Sequence, residues 1–499
     1  MLAALAGKDW GWRAVSLRRV FQATISSVLN YCGPAWQPFM SPTSTDILQR
    51  AQNRALRSVT ACLSTTPVET LHIETSVPLM ATQVARNSAV ALEKSLRLPT
   101  NHTRHQIAAA EVHHRKKRGS WRQTSSRLVE QIGLNEWPRA NFAPPSEAPW
   151  IDTMKLWEVE ISPEAKNSRR LSPTSRTQAG EAIMSRHLTG AKWIIFTDGA
   201  AHRQIGSGSA IIVYPNTTPS VNSTHPLPQD NVDEIPNDPT NQSPISSLVA
   251  SQERVIISRS NAANTQAYDA EVLAVSMAAN WLSSEGGSDP AVIACDNAGL
   301  LAAIQRPSIH STDLIELNEC LTACRRLITL VWIPSGSPGN KEADEAARAA
   351  RGILSGQVAT LSYPAAKAVI NSEITDPRPS NLGVLTHYAP ILNNPHSSKR
   401  NIIYTKIEAA SSRAEEVLLR QIRSGHCHKF AAFRAVMDPS VDPTCLRCND
   451  GLETNLHWLL DCRAIAEQRR IAFGDVEPDV AALVDRPVAG SSLARLTLC

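Results

Sequence analysis

Four carboxylates stand where a folded chain could bring them together. Asp198 follows the apolar run Trp193-Ile-Ile-Phe-Thr and precedes Gly199, the pattern of a strand end where the backbone turns sharply. Asp296 closes Ala291-Val-Ile-Ala-Cys in the same way. Glu271 lies in the first turns of a helix whose apolar face is Val272, Val275, Ala279 and Leu282, and Asp344 lies near the start of another, after the turn Pro338-Gly339-Asn340. Any one of these acids alone reads as a solvated surface carboxylate or a helix N-cap. Two strand-end carboxylates beside helical ones instead make a cradle of hard oxygen donors, the set that divalent cations such as Mg²⁺ take while keeping several waters and room for a phosphate. Asp269 is excluded: two residues before Glu271 on one helix, it points roughly 160° away.

A second set has softer donors. Of the ten cysteines, Cys445 and Cys448 form a tight Cys-x-x-Cys, followed by His457 and Cys462. Three thiolates and an imidazole at this spacing suit tetrahedral Zn²⁺, and the pattern reads as metal rather than disulfide. The alternative is a group of reduced core cysteines with His457 packed on Trp458.

The acids require a mixed α/β frame. Strands are expected at Trp193 to Thr197, Gly208 to Tyr214, Arg254 to Arg259, Ala291 to Cys295 and Leu327 to Trp332, with helices over Ala267 to Leu282, Leu314 to Cys324 and Lys341 to Arg351. At 499 residues the chain exceeds one core, and 32 prolines against 22 glycines point to long connections. The expected layout is a helical segment over 1–80, a linker over 81–189 and an α/β domain over 190–354. A linker over 355–400, a helical lead-in with the cysteine module over 401–475 and a tail over 476–499 complete it. Residues 215–252, rich in Pro, Ser, Thr, Asn and Asp, are expected as a disordered insertion. The run His113-His114-Arg115-Lys116-Lys117-Arg118 reads either as a phosphate-binding or nuclear-import patch or as a solvated charge run. Net charge is only +4, so nucleic-acid contact must come from local clusters. No stretch is apolar enough for a signal core or a membrane span; an intracellular protein, nuclear or cytoplasmic and not secreted, is expected, with no membrane partner.

The phrases Phe196-Thr-Asp-Gly-Ala-Ala, Ala267-Tyr-Asp-Ala-Glu-Val-Leu-Ala-Val, Cys295-Asp-Asn-Ala-Gly-Leu-Leu-Ala-Ala-Ile and Trp332-Ile-Pro-Ser-Gly-Ser-Pro-Gly-Asn-Lys-Glu-Ala-Asp resemble, in order, the four signature segments of type 1 ribonuclease H. The resemblance implies a five-stranded mixed sheet flanked by helices, and hydrolysis of the RNA strand of RNA–DNA hybrids by a two-metal mechanism. It makes Asp198, Glu271, Asp296 and Asp344 the catalytic ligands of two Mg²⁺ ions, with Mn²⁺ able to substitute, and Gly199 and Asn297 candidates for substrate contact. The family's histidine between Trp-Val/Ile-Pro and Pro-Gly-Asn has no counterpart in the shorter Ser335-Gly336-Ser337, which implies impaired catalysis. Integrases and resolvases share a carboxylate-lined sheet, but the Thr-Asp-Gly and Pro-Gly-Asn phrases argue against them.

The flanks add context. Val28-Leu-Asn-Tyr-Cys-Gly-Pro-Ala-Trp, Gln49-Arg-Ala-Gln-Asn-Arg-Ala-Leu-Arg and Thr65-Thr-Pro-Val-Glu-Thr-Leu are similar to the segment after the reverse transcriptase palm of non-LTR retrotransposons, and the cysteine set resembles their C-terminal zinc knuckle. The other reading of the N-terminal residues is an unrelated helical bundle. No paired-aspartate polymerase phrase precedes them in this sequence, which leaves a polymerase partner chain open. The expected function is thus a retrotransposon ribonuclease H, or else a catalytically impaired nucleic-acid-binding remnant of such an element.

Overall fold

The computed structural model describes residues 2–5, 7–110, 120–142, 156–162, 172–188, 190–202, 205–216, 254–262, 264–306, 311–352, 360–377 and 412–473. The basic run from His113 to Arg118, nearly all of the insertion expected at 215–252 and the tail over 476–499 lie outside the described residues. In chain order the main elements are α1 (Ala14–Phe21), α2 (Pro42–Thr60), α3 (Val68–Thr75), β1 (Trp157–Glu160), α4 (Pro173–Leu188), β2 (Trp193–His202), β3 (Gly206–Pro215) and β4 (Val255–Ser260). They continue as α5 (Ala267–Glu285), β5 (Ala291–Cys295), α6 (Ala298–Ile304), α7 (Thr312–Ala323), β6 (Ile328–Trp332), α8 (Asn340–Ala349) and α9 (Arg413–Ser424). Two compact units result: Met1–Ala89 with His113–Leu128 and Asn371–Cys499, and Val90–Val112 with Val129–Ile370.

The first unit joins the two ends of the chain. Helix α2 starts on a cap, Ser41 Oγ accepting from Ser44 N at 3.1 Å, and stops at Ala61, whose φ is +53°. Its face Ala55, Leu56 and Val59 packs with Leu17, Phe21 and Leu71. Helix α9, opened by a capping box of Ser412 and Glu415, docks on the C-terminal end of α2. Arg413 donates to Val59 O at 2.9 Å and to Ser58 O at 3.4 Å, and Gln421 to Ala61 O at 3.3 Å, supplying donors that the last turn of a helix lacks. Glu416 of α9 in turn accepts from Ala14 N at 3.1 Å, at the positive end of α1, and from Arg13 Nε at 2.7 Å. Glu74 at the end of α3 faces Arg420 and Arg423 of α9. The segments 1–80 and 401–475, expected as separate domains, therefore share buried ion pairs within one unit.

The second unit is built on a six-stranded sheet of order β1-β6-β5-β2-β3-β4. Strands β2, β3 and β4 are antiparallel, while β2, β5, β6 and β1 run parallel. The central strands are almost wholly buried, as in a sheet covered on both faces. Five strands were expected; the sixth, β1, pairs with β6 from Trp157↔Ile328 to Glu160↔Val331. Its sequence carries a period-2 signal, Trp157, Val159 and Ile161 alternating with Glu158 and Glu160. The expected linker over 81–189 also holds helices. Met80–Leu96 buries Met80, Val84, Ser88 and Leu92 at i, i+4 spacing, and Thr103–Ala109, Trp121–Gln131 and α4 follow. Likewise Tyr363–Glu373, expected as linker, is a helix that buries Ala365, Ala366, Val369 and Ile370. Among the described residues no helix is long and apolar enough to cross a membrane.

Candidate metal centres

Asp198 does not end its strand, contrary to expectation. Strand β2 continues to His202 and pairs with β3 throughout, Asp198 opposite Ala210. What ends is the neighbour: β5 stops at Cys295, opposite Thr197, so beyond that point one side of β2 lies open. Asp198 is the first residue past the end of that pairing, and Asp296 is the first past β5, as the sequence suggested.

Two helices frame this opening from opposite faces. Phe196 and Asp198 share one face with Ala210 and Gly208, and this face carries α8. A Cβ at Gly208 would overlap the carbonyl of Ala347, and one at Gly339 would overlap the ring of Phe196. Gly199 and Ser209 occupy the other face, under α5. A Cβ at Gly199 would overlap Glu271 N and the carbonyl of Ala270, so glycine is what allows the first turn of α5 to lie on the strand next to Asp198. Ser209 Oγ donates to Ala270 O at 2.7 Å and accepts from Asn261 Nδ2 at 2.9 Å, fixing that turn further.

The result is three carboxylates, Asp198, Glu271 and Asp296, with an oxygen of each within 4.8 Å of the others. Asp198 is 6% and Glu271 9% exposed, and Glu271 Oε2 has no hydrogen-bond partner among the described residues. Burial first, then the charges of Asp296 and Asp344, push Asp198 up to about 8; burial and Asp198 push Glu271 well up; burial and Asp344 push Asp296 to about 6. Three ionised acids cannot stay this close in a dry site without a cation. The donor set and the unpartnered Glu271 oxygen fit a hard divalent ion. Asp344, expected as the fourth ligand, is not gathered with the three. Its Oδ2 lies 2.7 Å from Arg348 Nη2, one turn along α8, although its charge is felt by all three acids. Asp269 stays out of the group, as expected; burial pushes its carboxyl to about 6, opposed by the Ser362 hydroxyl.

The two residues expected to touch substrate have local duties. Gly199 is the helix–strand contact just described, and its N–H donates to Asp198 Oδ1 at 2.6 Å. Asn297 Oδ1 accepts from Leu300 N at 3.0 Å and caps α6. A residue that sequence reasoning passed over is Asn340. It is 1% exposed, its Nδ2 reaches Asp198 Oδ2 at 3.4 Å, and its amide also serves Asp296. The turn Pro338-Gly339-Asn340 marked its position but not its task. Trp332 Nε1 donates to Asp296 O at 3.0 Å and fixes the backbone at the end of β5.

The second centre is assembled locally. Cys445, Cys448, His457 and Cys462 each offer a ligand atom within 4.8 Å of the rest. Cys445 Sγ lies 3.9 Å from Cys462 Sγ, and Cys448 Sγ 3.2 Å from His457 Nε2. A turn between Thr444 and Leu452, which pair as an antiparallel bridge, makes the knuckle, with positive φ at Asn449 and Gly451. Cys445 and Cys462 are buried with Leu419, Ile422, Phe430 and Trp458, and Ile73 of α3 packs against this cluster. This Cys₃His group could hold zinc.

No protein-family model matches the chain, and no curated protein does. Among solved structures, the N-terminal RNase H domain of a Mycobacterium tuberculosis protein, solved as a fusion with maltose-binding protein, is 16% identical. The match covers 32% of this chain and 93% of that one, with a TM-score of 0.21. At that score the likeness supports no argument about this chain, and the reading of the site rests on its geometry.

Proposed function

We propose that the chain is a divalent-cation-dependent nuclease that hydrolyses the RNA strand of RNA–DNA hybrids, as part of a non-LTR retrotransposon polyprotein. The observation that carries the reading is the meeting of Asp198, Glu271 and Asp296 from three separate elements, with a buried Glu271 oxygen lacking any partner among the described residues. The four ordered sequence phrases give it direction, since these acids lie in three of them and Asp344 in the fourth. Mg²⁺ bound there would supply an activated water and neutralise charge on the leaving oxygen. The chain's own residues do the positioning: Gly199 brings Glu271 against Asp198, Asn340 orients Asp198 and Asp296, and Trp332 fixes the carbonyl of Asp296. Contact with the RNA 2′-hydroxyls falls to Gly199 and Asn297 in this reading, and the partner is the hybrid. The Cys₃His centre holds Zn²⁺ and the protein works inside the cell.

A second reading, a nucleic-acid-binding remnant with weak catalysis, is favoured by the turn Pro334–Pro338. It is closed by Ser337 N donating to Pro334 O at 3.2 Å and carries no histidine. Labelled RNA–DNA hybrid, double-stranded RNA and duplex DNA incubated with the protein in Mg²⁺ separate the two. Cleavage confined to the RNA of the hybrid and lost in Asp198→Asn supports the nuclease. Tight binding without cleavage supports the remnant. Cleavage that survives Asp198→Asn sinks the cation assignment.

A further inference from the structure

The three gathered carboxylates leave a fourth turned aside. Asn340, Asp344 and Arg348 follow one another at i, i+4 and i+8 on α8, a single stripe along the helix. The first of them holds Asp198, while the second is paired with the third. The side chains of Asp344 and Arg348 are 27% and 59% exposed, so this pair sits at the rim of the cradle with solvent on the arginine side. We infer that Arg348 is a built-in counter-ion that holds Asp344 off the cradle, so that the chain fills the site of Asp198, Glu271 and Asp296 first and takes a second divalent cation only by displacing the guanidinium.

Three observations converge on this role. Among the described residues, Asp344 is the only one of the four acids with a cationic partner within bonding distance, and it is the one missing from the gathered group. The positive charge of Arg348 also reaches Asp198, where it offsets part of the crowding. Arg348 lies in the last turn of α8, where the negative end of the helix dipole offers a displaced guanidinium an alternative resting place. Arg348 is thus a positioning residue: it acts through Asp344 and sets the order and strength of cation loading.

The inference rests on the cradle proposed above, and cation binding can test it without any assay of cleavage. The full chain is titrated calorimetrically with Mg²⁺ and, separately, with Mn²⁺. Two binding events of unequal strength are expected. Arg348→Ala should tighten the weaker by roughly fivefold, the upper end for a half-exposed ion pair, and shift the stronger much less. Arg348→Lys, which keeps the charge, should stay close to the parent, and Asp344→Asn should lose the weaker event alone. Two events whose strengths are untouched by Arg348→Ala would overturn the role of Arg348 and leave the cradle standing. Failure of every variant, with its melting transition intact, to bind either cation would defeat the cradle and the inference together.

Discussion

The two candidate metal centres are assembled by opposite routes. The Cys₃His group is made within a short stretch, from a knuckle at Cys445 and Cys448 to Cys462, by turns that form next to one another in the chain. The acidic group draws on β2, α5 and the end of β5, and meets only after non-local strand pairing and two glycine-mediated helix approaches. With zinc bound as proposed, the local group would draw stability from its metal, since the core around its buried thiols is small. The dispersed one needs its fold first, and in the absence of a cation its crowded acids weaken that fold. On the proposed reading one centre would lend stability to its unit, and the other draws on it.

Metal removal should break this comparison most sharply. Stripping zinc, or Cys462→Ser, should withdraw on the order of 10 kcal/mol of metal-linked stability from the first unit. The loss should reach past the cysteines: Ile73 packs on the same cluster, and Glu74 holds Arg420 and Arg423, so amides of α3 and α9 should lose hydrogen-exchange protection together. Protection of α3 that survives chelation would show that the chain ends do not fold as one. A smaller effect is expected at Gly199→Ala, which forces α5 off β2 and should cost roughly 1–3 kcal/mol by overpacking. Because it moves Glu271 from Asp198, it should also weaken the stronger Mg²⁺ event in calorimetry. A variant that melts lower yet binds Mg²⁺ as tightly as the parent would mean that the close approach serves packing alone.

How much was legible in the sequence follows from the same contrast. The Cys₃His ligands could be read in full because their spacing is their geometry. The acids could be read as candidates, since each sits beside a strong strand or helix pattern, but not their final arrangement. Asp198 looked like a strand end because the apolar run stops at Thr197; its strand continues through Gly199, Ala200 and Ala201, where small residues make room for helices. Asp344 looked equivalent to the other three because sequence spacing does not reveal which way a side chain turns, and Arg348 one turn later decides that. Strand β1 is only four residues long, and its alternation was outweighed by the prolines just before it. The joining of the chain ends through Arg413, Glu416 and Glu74 had no local signature, since ion pairs between residues hundreds of positions apart leave no period to read.

The remaining expected effect concerns pH and the metal-free protein. In an unfolded chain Asp198 and Asp296 would titrate near their ordinary value of 3.8, whereas in the fold burial and mutual repulsion raise them to about 8 and about 6. Folding therefore favours their protonated forms. That contribution is complete below about pH 4 and is withdrawn as the pH climbs first through 6 and then through 8. With chelator present, the melting temperature of the sheet-containing unit should fall between pH 5 and pH 8.5, by on the order of 10 °C. Saturating Mg²⁺ should remove most of the decline, because a bound cation holds the ionised acids. Asp198→Asn should flatten the metal-free curve and raise its alkaline end, since the amide occupies the same volume without the charge. A metal-free melting temperature that rises with pH over this interval, or a slope that Asp198→Asn leaves unchanged, would show that the three carboxylates are not crowded in the way their positions on β2, α5 and β5 require.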